Sequence, residues 1–202
     1  MRHLEGSKLV YIIGGVPGVG KTSMSGKLAS ELGIDIVLSG DYLREFLRPY
    51  DTGGSIAVSV YDAWKAHGAM SREAIIRGYL DQAGYLSEGI RRIIRRSRRD
   101  GEKVILETLY FTPEMWQEDC GNSAAIAYLY VEEEKRHRDK LLSRTRYTHL
   151  NESGERLAAH LFEYRTIMDY SMETCSRLSI PAIETSDYEA AYEKLRRVME
   201  IG

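Results

Sequence analysis

Five short apolar runs divide the chain: Leu9–Ile13, Ile34–Leu38, Lys103–Glu107, Ala124–Val131 and Ile180–Glu184. Each is nearly continuous in hydrophobic residues rather than alternating, the pattern of strands in a parallel sheet covered on both faces. Between the runs the period lengthens. Met24, Leu28 and Leu32 recur at i, i+4 and i+8, which predicts a helix close behind the first strand. Ile90, Ile93, Ile94 and Ser97 form a second helical stripe, with arginines filling the rest of that helix. Strands alternating with helices imply right-handed crossovers and a doubly wound, three-layer α/β sandwich.

The spacing is uneven. Residues 39–102, between the second and third runs, read as a mostly helical insertion with turns at "RPYDTGG" and "AHGAMS". An insertion there would wall off a second binding site. After the fourth run come the charged segment Glu132–Tyr147 and a helix near Glu155–Leu178, with residues 132–153 expected to form a lid. There is no repeat and no low-complexity linker, so residues 1–202 read as one domain.

Composition narrows the function. A 43% hydrophobic content in 202 residues supplies a full core, and a net charge of −2 gives no general attraction to nucleic acid or acidic membrane. Arginine outnumbers lysine by more than two to one. That suits an anionic ligand, and codon bias or thermal adaptation explains it equally well. Cys120 and Cys175 stand far apart with no Cys-x-x-Cys pair, against a disulfide scaffold or zinc site. No apolar run is long enough to span a membrane, so a cytoplasmic protein is expected. The pattern selects no oligomeric state, a homodimer included.

The stretch "GGVPGVGKTS" carries the clearest chemistry. Gly15, Gly18, Gly20, Lys21 and Thr22 satisfy G-x-x-x-x-G-K-[ST] between a strand and a helix. Glycines let backbone N–H groups converge on phosphate oxygens, and the helix start adds its positive dipole end. Val19 and Ser23 complete the expected ATP contacts, Lys21 is expected on the β- and γ-phosphates, and Thr22 on Mg²⁺.

Candidates for the receiving side follow the second and third strands. Asp41 would lie at the carboxyl end of the second strand, as a base for an acceptor hydroxyl or as a helix N-cap. Arg44 and Arg48 share a helix face, suited to an anionic acceptor or to pairing with Glu45 or Asp51. Glu107 ends the third strand, where it would manage Mg²⁺ or brace the loop. In "KRHRDKLLSRTRY", Arg138 and Arg144 are preferred over Arg136 and Arg146 as lid arginines that neutralise the transferring phosphoryl. Thr185 and Ser186 would lie near the nucleobase or simply cap the last helix.

Six segments together resemble the archaeal 2-phosphoglycerate kinases: "GGVPGVGKT", "SGDYLREFLR", "SVYDAW", "GYLDQA", "VILETLYFTP" and "HLFEYRTIMDY", in that order. The resemblance implies a phosphate-loop kinase fold with sheet order 2-3-1-4-5, and an ATP- and Mg²⁺-dependent kinase acting on a hydroxyl of a small phosphorylated acid. It also implies that Asp41 is the acceptor-side acid and that Tyr61 and Trp64 line the acceptor pocket; core packing is their alternative. Two departures stand out. Only about a dozen residues precede the loop, where fuller members carry a nucleotide-sensing domain. Thr108 and Tyr110 replace a glycine and a histidine that usually follow Glu107. A short branch of the family acts on mevalonate 3-phosphate, which is longer than 2-phosphoglycerate and bears a methyl group. Tyr110 and Phe111 are compatible with that acceptor, and the resemblance to this branch implies it ahead of 2-phosphoglycerate.

Other classes fit less well. No Asn-Lys-x-Asp motif reads guanine, and neither size nor a sensor motif supports a motor ATPase. A non-catalytic nucleotide sensor would leave Asp41, Glu107 and the lid arginines without a purpose. An RNA-end or aminoacyl-tRNA kinase would need the Arg91–Arg99 face as its RNA surface, whereas an amphipathic helix covering the sheet explains that face directly.

Overall fold

The computed structural model describes residues 8–143 and 154–201. The apolar runs form a parallel sheet of β1 (Val10–Gly14), β2 (Ile36–Ser39), β3 (Val104–Thr108), β4 (Ala124–Tyr130) and β5 (Ala182–Glu184), in the order β2-β3-β1-β4-β5. This is the expected order. Every residue of β1 and β3 is buried, as their continuous hydrophobicity requires. Strand β2 departs from the expectation of cover on both faces: it is an edge strand, and Val37 is 42% exposed.

Two strands start later than their apolar runs because helix caps claim the first residues. The α1 helix (Lys21–Leu32) ends at Gly33 (φ 61°), and the Ile34 N–H donates to the Ala29 carbonyl, so β2 begins only at Ile36. The same happens before β5, where Ser179 (φ 55°) closes a helix and the Ile180 N–H returns to Cys175.

Residues 40–100 are mostly helical: α2 (Gly40–Leu47), a 3-10 segment (Val60–His67) and the 29-residue α3 (Arg72–Asp100). The Ser71 hydroxyl caps α3 by accepting from the Ala74 N–H at 3.1 Å. Its buried stripe runs through Ile75, Tyr79, Ala83, Leu86, Ile90 and Ile94. Gly78 sits where a Cβ would lie 2.5 Å from the Ala63 carbonyl carbon, so only glycine lets the 3-10 segment lie flat on α3. Two motifs distant in sequence, "SVYDAW" and "GYLDQA", are thereby one packing unit.

The basic face of α3 is tied down by carboxylates. Arg91 and Arg95 hold Asp119, from the short α4 (Gln117–Cys120), at 2.5 and 2.6 Å, and Arg98 donates to the Asp119 carbonyl. Arg92 pairs with Glu88, and Arg96 and Arg99 with Asp100. Helices α5 (Glu134–Ser143), α6 (Gly154–Ala159), α7 (Leu161–Leu178) and α8 (Tyr188–Ile201) complete the described chain. The single helix expected near Glu155–Leu178 is in fact α6 and α7, broken at His160, whose backbone leaves the helical region (φ −104°, ψ 25°). The His160 ring stacks on Tyr61 at 3.8 Å and Nδ1 pairs with Glu163 at 3.0 Å, contacts that fix the bend. Among the described residues, no helix is long and apolar enough to cross a membrane.

Candidate active site

The glycine loop leaves the carboxyl end of β1 and enters α1. Gly18 and Gly20 have φ of 87° and 92°, a left-handed backbone that turns successive N–H groups inward, and Gly20 is the N-cap of α1. Val19 is fully buried beneath the loop, and the Gly15 N–H donates to the Thr108 carbonyl at 3.2 Å. Lys21 Nζ donates to the Val16 carbonyl at 3.1 Å.

Register places Glu107 beside the loop: it pairs with Ile13 of β1 and with Ser39 of β2. The Thr22 hydroxyl lies 3.0 Å from both Glu107 carboxylate oxygens, with Glu107 only 7% exposed. A hydroxyl and a carboxylate at that spacing are the hard oxygen donors that Mg²⁺ takes. Among the described residues, no group of three or more His, Cys, Asp or Glu could hold a metal. Such an ion would therefore need nucleotide oxygens and water to complete its shell, the normal arrangement for Mg²⁺ at a phosphate loop.

Two cavities meet at Pro17 and Thr22. The first, about 590 Å³, lies over the loop and is walled by Lys21, Ser23, Lys140, Thr185, Ser186 and Tyr188. Lys140 Nζ donates to the Thr185 carbonyl, and burial pushes the Lys140 ammonium below its ordinary pKa. Thr185 is anchored in turn by its hydroxyl and N–H to the Tyr130 carbonyl, at 3.1 and 2.9 Å. Also on α5, the fully buried His137 has Nε2 2.8 Å from the Pro17 carbonyl, tying this helix to the phosphate loop. Arg138 is exposed and outside this cavity. The helix turns His137, Lys140 and Leu141 toward the loop, which carries Arg138 and Asp139 away from it. Arg144 and Arg146 fall outside the described residues.

The second cavity, about 570 Å³, is built by α2, the 3-10 segment, the end of β3, α6 and α7. Asp41 is exposed to it from the first turn of α2. Ser39 takes the N-cap position and no side-chain capping bond forms, so Asp41 is no cap. Arg44 lines the cavity, but its guanidinium donates to the Ile56 and Val58 carbonyls and to Glu45. Arg48 donates to Glu45 and the Ala57 carbonyl and lies outside.

The aromatic candidates part company as well. Tyr61 lines the cavity, edge-on to Tyr164, while Trp64 packs against the hydrophobic core and does not line it. Tyr110 is 2% exposed, lines the cavity, and takes the Thr108 hydroxyl as acceptor for its N–H at 2.9 Å. Burial pushes the Tyr110 phenol well above its ordinary pKa; Arg44 pulls against this, and Asp41 and Glu45 reinforce it. The group is a neutral donor throughout the physiological range. Phe111 turns into the core against Trp116 and Tyr128.

Sequence reasoning missed His137, Lys140, Arg156 and Tyr164. Tyr164 lay within a quoted motif, and the phase of α5 would have selected His137 and Lys140. Nothing in the pattern around Arg156 distinguishes it.

A phosphate loop whose helix-start threonine is shared between two cavities, on a sheet of this order, defines a phosphate-loop kinase, a phosphotransferase. The model of the AAA domain family matches residues 14–156. Mevalonate-3-phosphate 5-kinase of Thermoplasma acidophilum is 53% identical over 187 residues, covering 92% of this chain and 93% of that protein. 2-Phosphoglycerate kinase of Methanopyrus kandleri is 27% identical, covering 93% of this chain but 59% of its own length. The chain belongs to the AAA domain family, within a group of kinases that includes these two relatives. A gluconokinase from Sinorhizobium meliloti and a shikimate kinase from Acinetobacter baumannii share the fold, with TM-scores of 0.54 and 0.53 and 14% identity, each match covering 96% of this chain and 92% of the other.

Proposed function

We propose that this kinase transfers the terminal phosphoryl group of ATP to the 5-hydroxyl of mevalonate 3-phosphate. The observation that carries the reading is the 53% identity to mevalonate-3-phosphate 5-kinase across nearly the whole of both chains. The second cavity supports it. Val60, Leu109 and Leu157 offer apolar wall for a methyl group, and the Arg156 guanidinium lines the same space as an anionic acceptor would.

In this reading the loop N–H groups and Lys21 hold the triphosphate. Thr22 and Glu107 would hold Mg²⁺, whose chemistry would be to neutralise charge on the phosphates. Asp41 orients the acceptor hydroxyl and takes its proton as the new oxygen–phosphorus bond forms and ADP leaves. The Tyr110 phenol, kept neutral by burial and turned toward Gln82 Oε1 at 3.4 Å, closes the wall beside the acceptor. Thr185, Ser186 and Tyr188 form the wall for the nucleobase.

An ATP-consumption screen over phosphorylated hydroxy acids tests the reading. Mevalonate 3-phosphate should raise turnover at least about 100-fold above acceptor-free hydrolysis, the scale on which positioning an acceptor operates. Preference for 2-phosphoglycerate would overturn the choice of acceptor. Failure of every phosphorylated hydroxy acid would overturn the reading itself.

A further inference from the structure

Helix α5 meets the glycine loop through one buried ring. His137 is fully buried, and its Nε2 lies 2.8 Å from the Pro17 carbonyl oxygen. A carbonyl only accepts, so the hydrogen of this bond sits on Nε2. Burial pushes the His137 imidazole below its ordinary pKa; the bond to Pro17 pulls it up, and Arg165, Lys140 and Lys21 push it down again. The ring is therefore the neutral Nε2–H tautomer, and among the described residues its Nδ1 has no hydrogen-bond partner. The contact is close: a Cβ on Gly18 would lie 3.0 Å from Leu141 and 3.3 Å from His137.

The bond to Pro17 has its effect across the peptide unit. In a planar trans peptide the carbonyl of one residue and the N–H of the next point in opposite directions. Holding the Pro17 carbonyl against His137 thus fixes the direction of the Gly18 N–H, and both residues line the cavity over the loop. Neighbouring loop residues have less to give. The Gly15 N–H is committed to the Thr108 carbonyl, and Pro17 has no N–H. The support is itself anchored. One turn further along α5, Lys140 donates to the Thr185 carbonyl, and Thr185 is bonded through its N–H and hydroxyl to the Tyr130 carbonyl at the end of β4. Helix α5 is thereby fixed to the sheet at one side of the cavity and delivers His137 to the loop at the other.

We propose that His137 is a positioning residue, which through Pro17 aims the Gly18 N–H at a phosphate group of the nucleotide. The inference rests on the cavity over the loop being the nucleotide site. Calorimetric titration with ATP and Mg²⁺, without acceptor, on the wild type, His137→Met and His137→Gln tests it, with Tm measured for each. Methionine fills the site and offers no donor, whereas the glutamine amide brings an N–H close to the place of Nε2. His137→Met should weaken ATP binding about tenfold, the scale of a lost hydrogen bond that leaves a buried carbonyl unpaired. His137→Gln should bind ATP within about threefold of wild type, even where the two variants lose Tm alike. The wild type reports if the variants fold poorly. In long-range ¹H–¹⁵N NMR of histidine-labelled protein, the ring with nuclear Overhauser contacts to Gly18 should be the Nε2–H tautomer, and its signals should shift on adding ATP and Mg²⁺.

Unchanged ATP affinity in His137→Met would overturn the inference and leave the nucleotide site standing. So would a glutamine variant as weak as the methionine one, since the ring's bulk and not its donor would then matter. An Nδ1–H ring, or signals indifferent to ATP, would overturn it equally. A wild-type protein with no measurable affinity for ATP and Mg²⁺ would overturn the nucleotide-site reading and the inference with it.

Discussion

Thr22 lines both cavities together with Pro17, and its hydroxyl sits 3.0 Å from both oxygens of Glu107. Asp41 faces the same acceptor space from α2 and serves no capping role, so its carboxylate is available to an acceptor hydroxyl. Replacing it with Asn preserves shape and removes the base. Asp41→Asn should lower kcat by about 10²–10⁴-fold, the usual worth of a positioned general base. The ATP KM should move little, and steady-state kinetics that returned a wild-type kcat would remove Asp41 from the chemistry. Glu107→Gln tests the neighbouring pair. It should raise the Mg²⁺ concentration for half-maximal rate about tenfold, the low end of effects on metal sites. An unchanged Mg²⁺ dependence with a lowered Tm would make Glu107 a brace for the loop.

At the scale of elements, the close approach of the 3-10 segment to α3 carries much of the acceptor wall. Gly78→Ala would drive a methyl to 2.5 Å from the Ala63 backbone, where nothing flexible can yield. Overpacking of this kind costs about 1–3 kcal/mol, so Tm should fall by about 2–10 °C. The acceptor KM should rise with it; a stable Gly78→Ala enzyme with normal kinetics would contradict this account of the wall. The Asp119 clamp on α3 gives a pH signature. Hydrogen bonds from Arg91 and then Arg95 hold the Asp119 carboxyl below its ordinary pKa. Its contribution to stability is therefore full above the unfolded value of about 4 and is lost as pH falls through the lower folded value. Thermal melts should show Asp119→Asn less stable by about 2–4 °C at pH 7, with the gap to wild type closing in acid. A gap that persisted below the folded value would contradict the clamp. These elements also mark where sequence was a poor guide. Hydrophobic periodicity located every strand, yet Ile34 and Ile180 belong to helix caps, because a cap is set by backbone hydrogen bonds that hydrophobicity does not encode. Charge alone singles out Arg138, whereas the phase of α5, set by buried His137 and Leu141, turns Lys140 toward the cavity over the glycine loop instead.

Across the whole molecule, the proposed function divides the work of a kinase between the two cavities, with Glu107 at the end of β3, the glycine loop after β1 and Asp41 in the first turn of α2 lying between them. The glycine loop was legible in full because its chemistry is local: adjacent residues make one anion site. The acceptor cavity was legible only in part. Elements far apart in the chain converge on it, from α1 to α7, and neither Arg156 nor the outward turn of Arg48 follows from spacing along the chain. In the proposed function a phosphoryl group reaches the primary 5-hydroxyl of mevalonate 3-phosphate. Phosphorus NMR of a completed reaction with ATP and Mg²⁺ tests this most directly. The account predicts a new phosphomonoester resonance split by the two protons of an adjacent CH₂ group, alongside the retained 3-phosphate signal. Growth of inorganic phosphate alone, or of a diphosphate on the original 3-phosphate, would contradict it.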